Sequence, residues 1–171
     1  MIYVLYGQPG SGKTSLGKLL ASYLDTPFII DGDEFRGMFA NKNYGREGRD
    51  ENIKNANAVA TYLNKKAIGG NWAASYCRDE DDGIKGLAIS NQTHVVISLV
   101  NPYENLRKEL KSNNHDQIVE VLLKSNRDLR KGYHVEGFEI GSPDISLSTD
   151  GREEDTFQTL IKSLQKKGYI N

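Results

Sequence analysis

Gly7, Gly12, Lys13 and Thr14 stand at the spacing G-x-x-x-x-G-K-[ST], a pattern whose chemistry is the handling of phosphate. In such a loop successive backbone N–H groups turn inward toward an anion, glycines let the backbone approach it, and the following helix adds its positive N-terminal end. The run Gly7, Gln8, Pro9, Gly10, Ser11, Gly12, Lys13, Thr14 and Ser15 is therefore a candidate cradle for the phosphates of a nucleoside triphosphate such as ATP. Lys13 would reach the β- and γ-phosphates, and Thr14 would offer its hydroxyl to Mg2+. A second group follows at Asp31-Gly32-Asp33. Carboxylates at the C-terminal edge of a parallel strand face the ligand crevice, where they serve the acceptor or the metal. Asp33 also stands where it could cap a helix beginning at Glu34. Arg46 and Arg49 punctuate a glycine-containing loop, 44–49; beside a phosphate loop and an acidic pair they become candidate ligands for an anionic acceptor. Lys124, Arg127, Arg130 and Lys131 gather against a single Asp128. They form either a solvated basic helix or a lid whose cations close over the transferring group and exclude water.

Alternating strands and helices position these groups. The apolar run IYVLY at Ile2–Tyr6 reads as a buried strand leading into the loop. Leu16, Leu19, Leu20, Tyr23 and Leu24 recur at i, i+3, i+4, i+7 and i+8, which predicts a helix with one apolar stripe. FIID from Phe28 is a short strand delivering the acidic pair, and Ile53, Ala56, Val59, Ala60 and Leu63 give a helix over about Asp50 to Lys66. HVVISLV from His94 and IVEVLL from Ile118 are β-branched runs of the kind buried on both faces of a parallel sheet. Leu106 and Leu110 mark a helix between them. ISLST from Ile145 supplies a fifth strand, and Phe157, Leu160, Ile161 and Leu164 a closing helix. This order predicts an α/β fold: a five-stranded parallel sheet with helices on both faces. A hairpin-like insertion at about 69–93 and a lid at about 124–139 interrupt it. The acidic turn Asp79–Asp82 in the insertion lacks the spacing of a calcium loop.

A chain of 171 residues suits one domain, 1–171, with a substantial core. A formal net charge of -1 gives no global field for nucleic acid or an anionic membrane. Cys77 is the single cysteine, so no disulfide can form within the chain and a reducing, cytoplasmic setting is expected. No leader and no run approaching a membrane span is evident.

Taken together, four blocks resemble the adenylylsulfate (APS) kinase family. They are the phosphate loop Gly7–Thr14; D-G-D-x-x-R at Asp31, Gly32, Asp33 and Arg36; an aromatic residue five positions before an arginine and then E-N-I, at Tyr44, Arg49, Glu51, Asn52 and Ile53; and a looser S-x-I-S-P-[YF] with a following arginine, at Ser98, Val100, Asn101, Pro102, Tyr103 and Arg107. The resemblance implies a P-loop NTPase fold of the nucleotide-kinase type and transfer of the γ-phosphoryl of ATP, with Mg2+, to the 3′-hydroxyl of adenylylsulfate. It implies that Lys13, Asp31 and Asp33 are catalytic, with an aspartate of the pair as base, and that Thr14 and Asp33 hold the metal. Arg36, Arg49 and Asn52 would hold acceptor anions and Tyr44 would stack on the purine, with Asn101, Tyr103, Lys131 and Tyr133 completing the acceptor side. Arg127 and Arg130 would close on ATP. Similar kinases are often dimers, so a homodimer is a further expectation.

The chain departs from the family pattern at several points. Asn101 replaces a serine, Tyr44 replaces a phenylalanine, and Lys131 with Tyr133 or Phe138 stands where the family lid has a lysine and a phenylalanine. The insertion has no counterpart. A kinase of the same fold acting on another hydroxyl, in a nucleoside, a sugar or a hydroxymethylated base of DNA, is the alternative; Trp72, Tyr76 and Arg78 of the insertion would suit the last. A nucleotide-binding switch is a third reading. Against it, the guanine-specifying N-K-x-D is absent at Asn41 and Asn64.

Overall fold

A computed structural model describes residues 1–68, 94–127 and 130–171. The expected insertion, with Trp72, Tyr76, Cys77, Arg78 and the acidic turn, lies outside the described residues. Five strands form one parallel sheet: β1 (Ile2–Tyr6), β2 (Ile29–Asp31), β3 (Val95–Ser98), β4 (Ile118–Lys124) and β5 (Ile145–Ser148), in the order β2-β3-β1-β4-β5. The order makes β1 central, with Val4 opposite Ile97 on one side and Glu120 on the other. All five β1 residues are fully buried, each worth about 1.5–3 kcal/mol relative to exposure. Such a strand is a rigid mount for the loop that leaves it.

Strand alternation divides the core between two helical layers. Ile2, Val4, Val95 and Ile97 face α2 (Gly32–Met38), α3 (Arg46–Ile68) and α4 (Glu104–Asn114), whose Phe35, Ile53, Ala56, Leu106 and Leu110 pack there. Tyr3, Leu5, Val96, Val119 and Val121 face α1 (Lys13–Tyr23) and α5 (Glu153–Lys166) through Leu16, Leu20, Leu160 and Leu164. Most of the apolar positions expected on these helices pack in the core, although Tyr23 at the end of α1 is 48% exposed.

Two helix starts differ from expectation. α3 begins at Arg46 rather than Asp50, because the glycines that look like breakers serve packing. A Cβ on Gly48 would collide with the Asn43 backbone, and Gly45 N–H donates to Asn43 Oδ1 at 2.8 Å. α2 is capped by Asp31, not Asp33: its Oδ1 accepts from the Asp33 and Glu34 N–H groups at 2.9 and 3.4 Å. β2 runs straight into the helix, so the cap falls on the strand's last residue. The basic stretch at 124–134 forms no α-helix among the described residues; a 3-10 turn, Lys131–Tyr133, precedes irregular chain up to β5.

That irregular chain is pinned at its far end by Arg107 of α4, which is 1% exposed. Its Nη1 donates to Asn101 O at 2.6 Å, and its Nη2 donates to Glu139 O at 2.7 Å and Ile140 O at 3.2 Å. The guanidinium lies 4.3 Å over the Tyr6 ring, and Glu120 Oε2 stands 3.7 Å from Nε. The Tyr6 hydroxyl donates to the same Ile140 carbonyl at 2.6 Å. Removing the guanidinium takes the Arg107 bonds from the Asn101 and Glu139 carbonyls and its charge from Glu120, a carboxylate whose pKa burial already raises, and leaves Ile140 O to the Tyr6 hydroxyl. Loss of one member of a buried charged group typically costs about 3–5 kcal/mol. Arg107→Met is therefore expected to lower the thermal midpoint by roughly 10 °C, measured by calorimetry, and Arg107→Lys to recover less than half of that because a point charge cannot serve the fork.

Candidate active site

The loop after β1 takes its shape from glycine. Gly10 and Gly12 have φ of 84° and 82°, in the left-handed region that side chains disfavour. A Cβ on Gly7 would press into the Leu123 carbonyl. Lys13, only 8% exposed, donates from Nζ to the Gln8 carbonyl at 2.7 Å and to Ser11 Oγ at 3.2 Å. Burial pulls its pKa from 10.5 to about 8; Asp31 and Asp33 oppose the shift and Arg130 adds to it. The sequence-expected acids and the lid arginine Arg130 thus lie within electrostatic reach of one ammonium. Ser15 is exposed on the first turn of α1.

The Thr14 hydroxyl donates to Asp31 Oδ2 at 2.7 Å. Asp31 is buried and its other oxygen caps α2, whereas Asp33 is exposed and its carboxylate accepts no hydrogen bond from the described residues. The neighbour of Thr14 is therefore Asp31, where sequence reasoning had paired Thr14 with Asp33. Among the described residues no three His, Cys, Asp or Glu side chains gather as a metal site. A hydroxyl and a carboxylate beside a phosphate loop are hard oxygen donors, which suits Mg2+ shared with phosphates rather than an all-protein cage.

Beside the loop is a cavity of about 390 Å³ lined by Arg46, Arg49, Tyr103, His134, Val135, Glu136, Gly137 and Glu139. Arg46 lies 5.3 Å over the Tyr103 ring. The wall from the irregular chain after β4 is tied to the phosphate loop: Gln8 Nε2 donates to Val135 O at 3.0 Å, and Val135 N–H donates to Gln8 Oε1 at 2.9 Å. Two arginines, a tyrosine and two glutamates thus line a space whose wall is joined to the phosphate loop.

Of the other expected acceptor residues, Arg49 and Tyr103 line this cavity. Arg36 and Tyr44 form their own pair, with the guanidinium 4.5 Å over the ring and Arg36 Nη1 donating to Asn43 O at 2.8 Å. One face of Tyr44 is thereby occupied. Asn52 Nδ2 donates to Gly32 O at 3.2 Å, while its buried Oδ1 and both side-chain polar atoms of Asn101, 1% exposed, find no hydrogen-bond partner among the described residues. Arg127 folds back onto Ser125, its Nε donating to Ser125 Oγ at 3.2 Å, and Tyr133 is exposed. Lys131 begins the 3-10 turn. Sequence reasoning missed Gln8 as a link to the lid, and His134, Glu136 and Glu139 as cavity wall. No local signal marks them, since their partners lie far away in the chain.

Residues 3–131 match the family model described as "ATPase family associated with various cellular activities (AAA)". The chain belongs to this AAA family. The match spans the loop, both acidic residues and the first four strands. Solved structures similar to this AAA-family chain include several kinases. The Mycobacterium tuberculosis APS kinase in complex with AMPPNP and APS is 20% identical, with a TM-score of 0.65 and 96% of each chain covered. A gluconokinase from Sinorhizobium meliloti 1021 is 14% identical, at a TM-score of 0.61, covering 96% of this chain and 91% of that one. Shikimate kinase from Aquifex aeolicus is 17% identical at 0.59 over 100% of both. At these identities the likeness shows the fold, a P-loop kinase fold. No curated protein matches the chain in sequence. No helix among the described residues is long and apolar enough to cross a membrane.

The buried ammonium yields a pH prediction. Between pH 8 and 10.5 the unfolded chain holds a proton on Lys13 that the folded chain has released, so stability from this group rises with pH across that window. Lys13→Met should therefore be more stable than wild type at pH 7, by on the order of 2 kcal/mol. The advantage should shrink toward pH 10.5 in thermal unfolding.

Proposed function

We propose that this chain is an ATP-dependent kinase transferring the γ-phosphoryl group to a hydroxyl of a small anionic acceptor, with adenylylsulfate the leading candidate. The observation that carries the reading is the arginine-lined cavity whose wall is joined to the phosphate loop by Gln8 and Val135. Donor phosphates in the loop and an acceptor in the cavity would meet across that wall. Phosphoryl transfer asks for alignment and cations around the equatorial oxygens more than for covalent help.

In this reading the loop N–H groups and Lys13 bind the β- and γ-phosphates, and Arg130 adds positive charge from the lid. Thr14 and Asp31 would hold Mg2+, which neutralises developing charge on the phosphates when bound. Asp33 is the acceptor's base: its carboxylate accepts no hydrogen bond from the described residues, while both oxygens of Asp31 are engaged. Arg46 and Arg49 hold the acceptor's anion, and Tyr103 backs the Arg46 guanidinium that lies over its ring. Arg36 and Tyr44 reinforce the entrance rather than sandwich a purine. A second reading, a polyol acceptor, draws support from the Glu136 carboxylate in the cavity wall, which can accept from sugar hydroxyls.

ADP release from Mg-ATP, measured with adenylylsulfate, gluconate, shikimate, nucleosides and a hydroxymethylated oligonucleotide, separates these readings. Adenylylsulfate should give turnover and raise the thermal midpoint; if it does neither, it is not the acceptor. Asp33→Asn and Lys13→Ala should each lower turnover by 10² or more, about 3 kcal/mol of transition-state stabilisation. Arg46→Ala and Arg49→Ala should each raise the acceptor KM about tenfold while leaving that for ATP within about threefold. Near-normal turnover in Asp33→Asn would transfer the base role to Asp31.

A further inference from the structure

We infer that Gln8 is a positioning residue through which the filling of the phosphate loop is communicated to the acceptor cavity. The inference rests on the kinase reading of the same site but concerns a coupling that the reading does not require. Gln8 makes contacts in two directions. Its backbone carbonyl accepts the Lys13 ammonium at 2.7 Å, and its side-chain amide holds both backbone groups of Val135 at 3.0 and 2.9 Å. Val135 is 7% exposed and lies in irregular chain, so its N–H and C=O depend on that amide in place of a strand or helix partner. His134 and Glu136, on either side of Val135, line the cavity.

The consequence is mechanical. In the described state the Lys13 ammonium is satisfied by Gln8 and Ser11. Donor phosphates compete for that ammonium, because a charge-assisted bond to phosphate is stronger than one to a neutral carbonyl. Drawing Lys13 away leaves the Gln8 carbonyl only its longer bond from the Ser11 N–H at 3.2 Å, and a peptide that shifts in response carries the side chain holding Val135. Occupation of the donor side thereby adjusts the wall of the acceptor side through one residue. A leucine at this position would fill the space but hold neither backbone group of Val135. By reciprocity, an acceptor that fixes the wall should tighten donor binding by the same factor.

Trypsin cleavage after Arg127, Arg130 and Lys131 reads the lid without any acceptor. Saturating Mg-AMPPNP, with saturation set by thermal-shift titration, is expected to slow cleavage of wild-type protein about tenfold. In Gln8→Leu the nucleotide-free protein should be cut faster, and AMPPNP should change its rate less than twofold. Gln8→Glu keeps an acceptor for the Val135 N–H but loses the donor to its carbonyl, so it should fall between. With a turned-over acceptor, Gln8→Leu should raise the acceptor KM more than that for ATP. Equal AMPPNP protection in Gln8→Leu and wild type overturns the coupling and leaves the kinase reading intact. Loss of AMPPNP binding in Gln8→Leu alone also overturns it, since the side chain would then serve the nucleotide itself. Failure of AMPPNP to bind wild type overturns both.

Discussion

A lysine ammonium buried in a glycine loop is the constraint from which the site is built. Burial pulls its pKa down to about 8, a cost that a stable fold would avoid unless the charge had a use. The surroundings moderate the cost without removing it. The Gln8 carbonyl and the Ser11 hydroxyl satisfy the ammonium, two aspartates favour its charge, and Arg130 opposes it. An anion in the loop would complete this balance. Central β1, buried along its whole length, supplies the rigidity that holds such a locally unfavourable group in place.

The proposed kinase chemistry further requires a cavity beside that loop, and long-range bonds build its wall. Gln8 grips the lid at Val135, and Arg107 with Tyr6 grips the chain a few residues later at Glu139 and Ile140. Glu139 in turn caps α4, its Oε2 accepting the Glu104 N–H at 2.6 Å, while its own N–H donates to Pro102 O at 2.9 Å. Irregular chain is thereby fastened to the phosphate loop, to β1 and to the start of α4, and the cavity is lined by this chain and by the first turn of α3.

Local chemistry made much of this legible in the sequence. The phosphate loop has its own spacing, the strands are β-branched runs buried on both faces, and three helices show their apolar stripe. Features set by distant partners were not legible. Gly45 and Gly48 look like loop punctuation, and only the packing of Asn43 explains why α3 starts just after the first and runs through the second. The cap moved from Asp33 to Asp31 because β2 leaves no linker before α2. Tyr44 looked free to stack, yet Arg36 covers one face. Gln8 and Val135 stand 127 residues apart, and nothing near either one marks the other.

The family model describes ATPases and the similar folds are kinases, so the account turns on where the γ-phosphoryl group goes: to water or to a hydroxyl held by Arg46 and Arg49. The most direct measurement follows the label of γ-labelled ATP with and without a mixture of small hydroxyl compounds, resolving inorganic phosphate from organic phosphoester. The account predicts slow release of inorganic phosphate alone and rapid appearance of a labelled phosphoester once an acceptor is present. Label recovered only as inorganic phosphate, at a rate indifferent to every hydroxyl compound added, would contradict it.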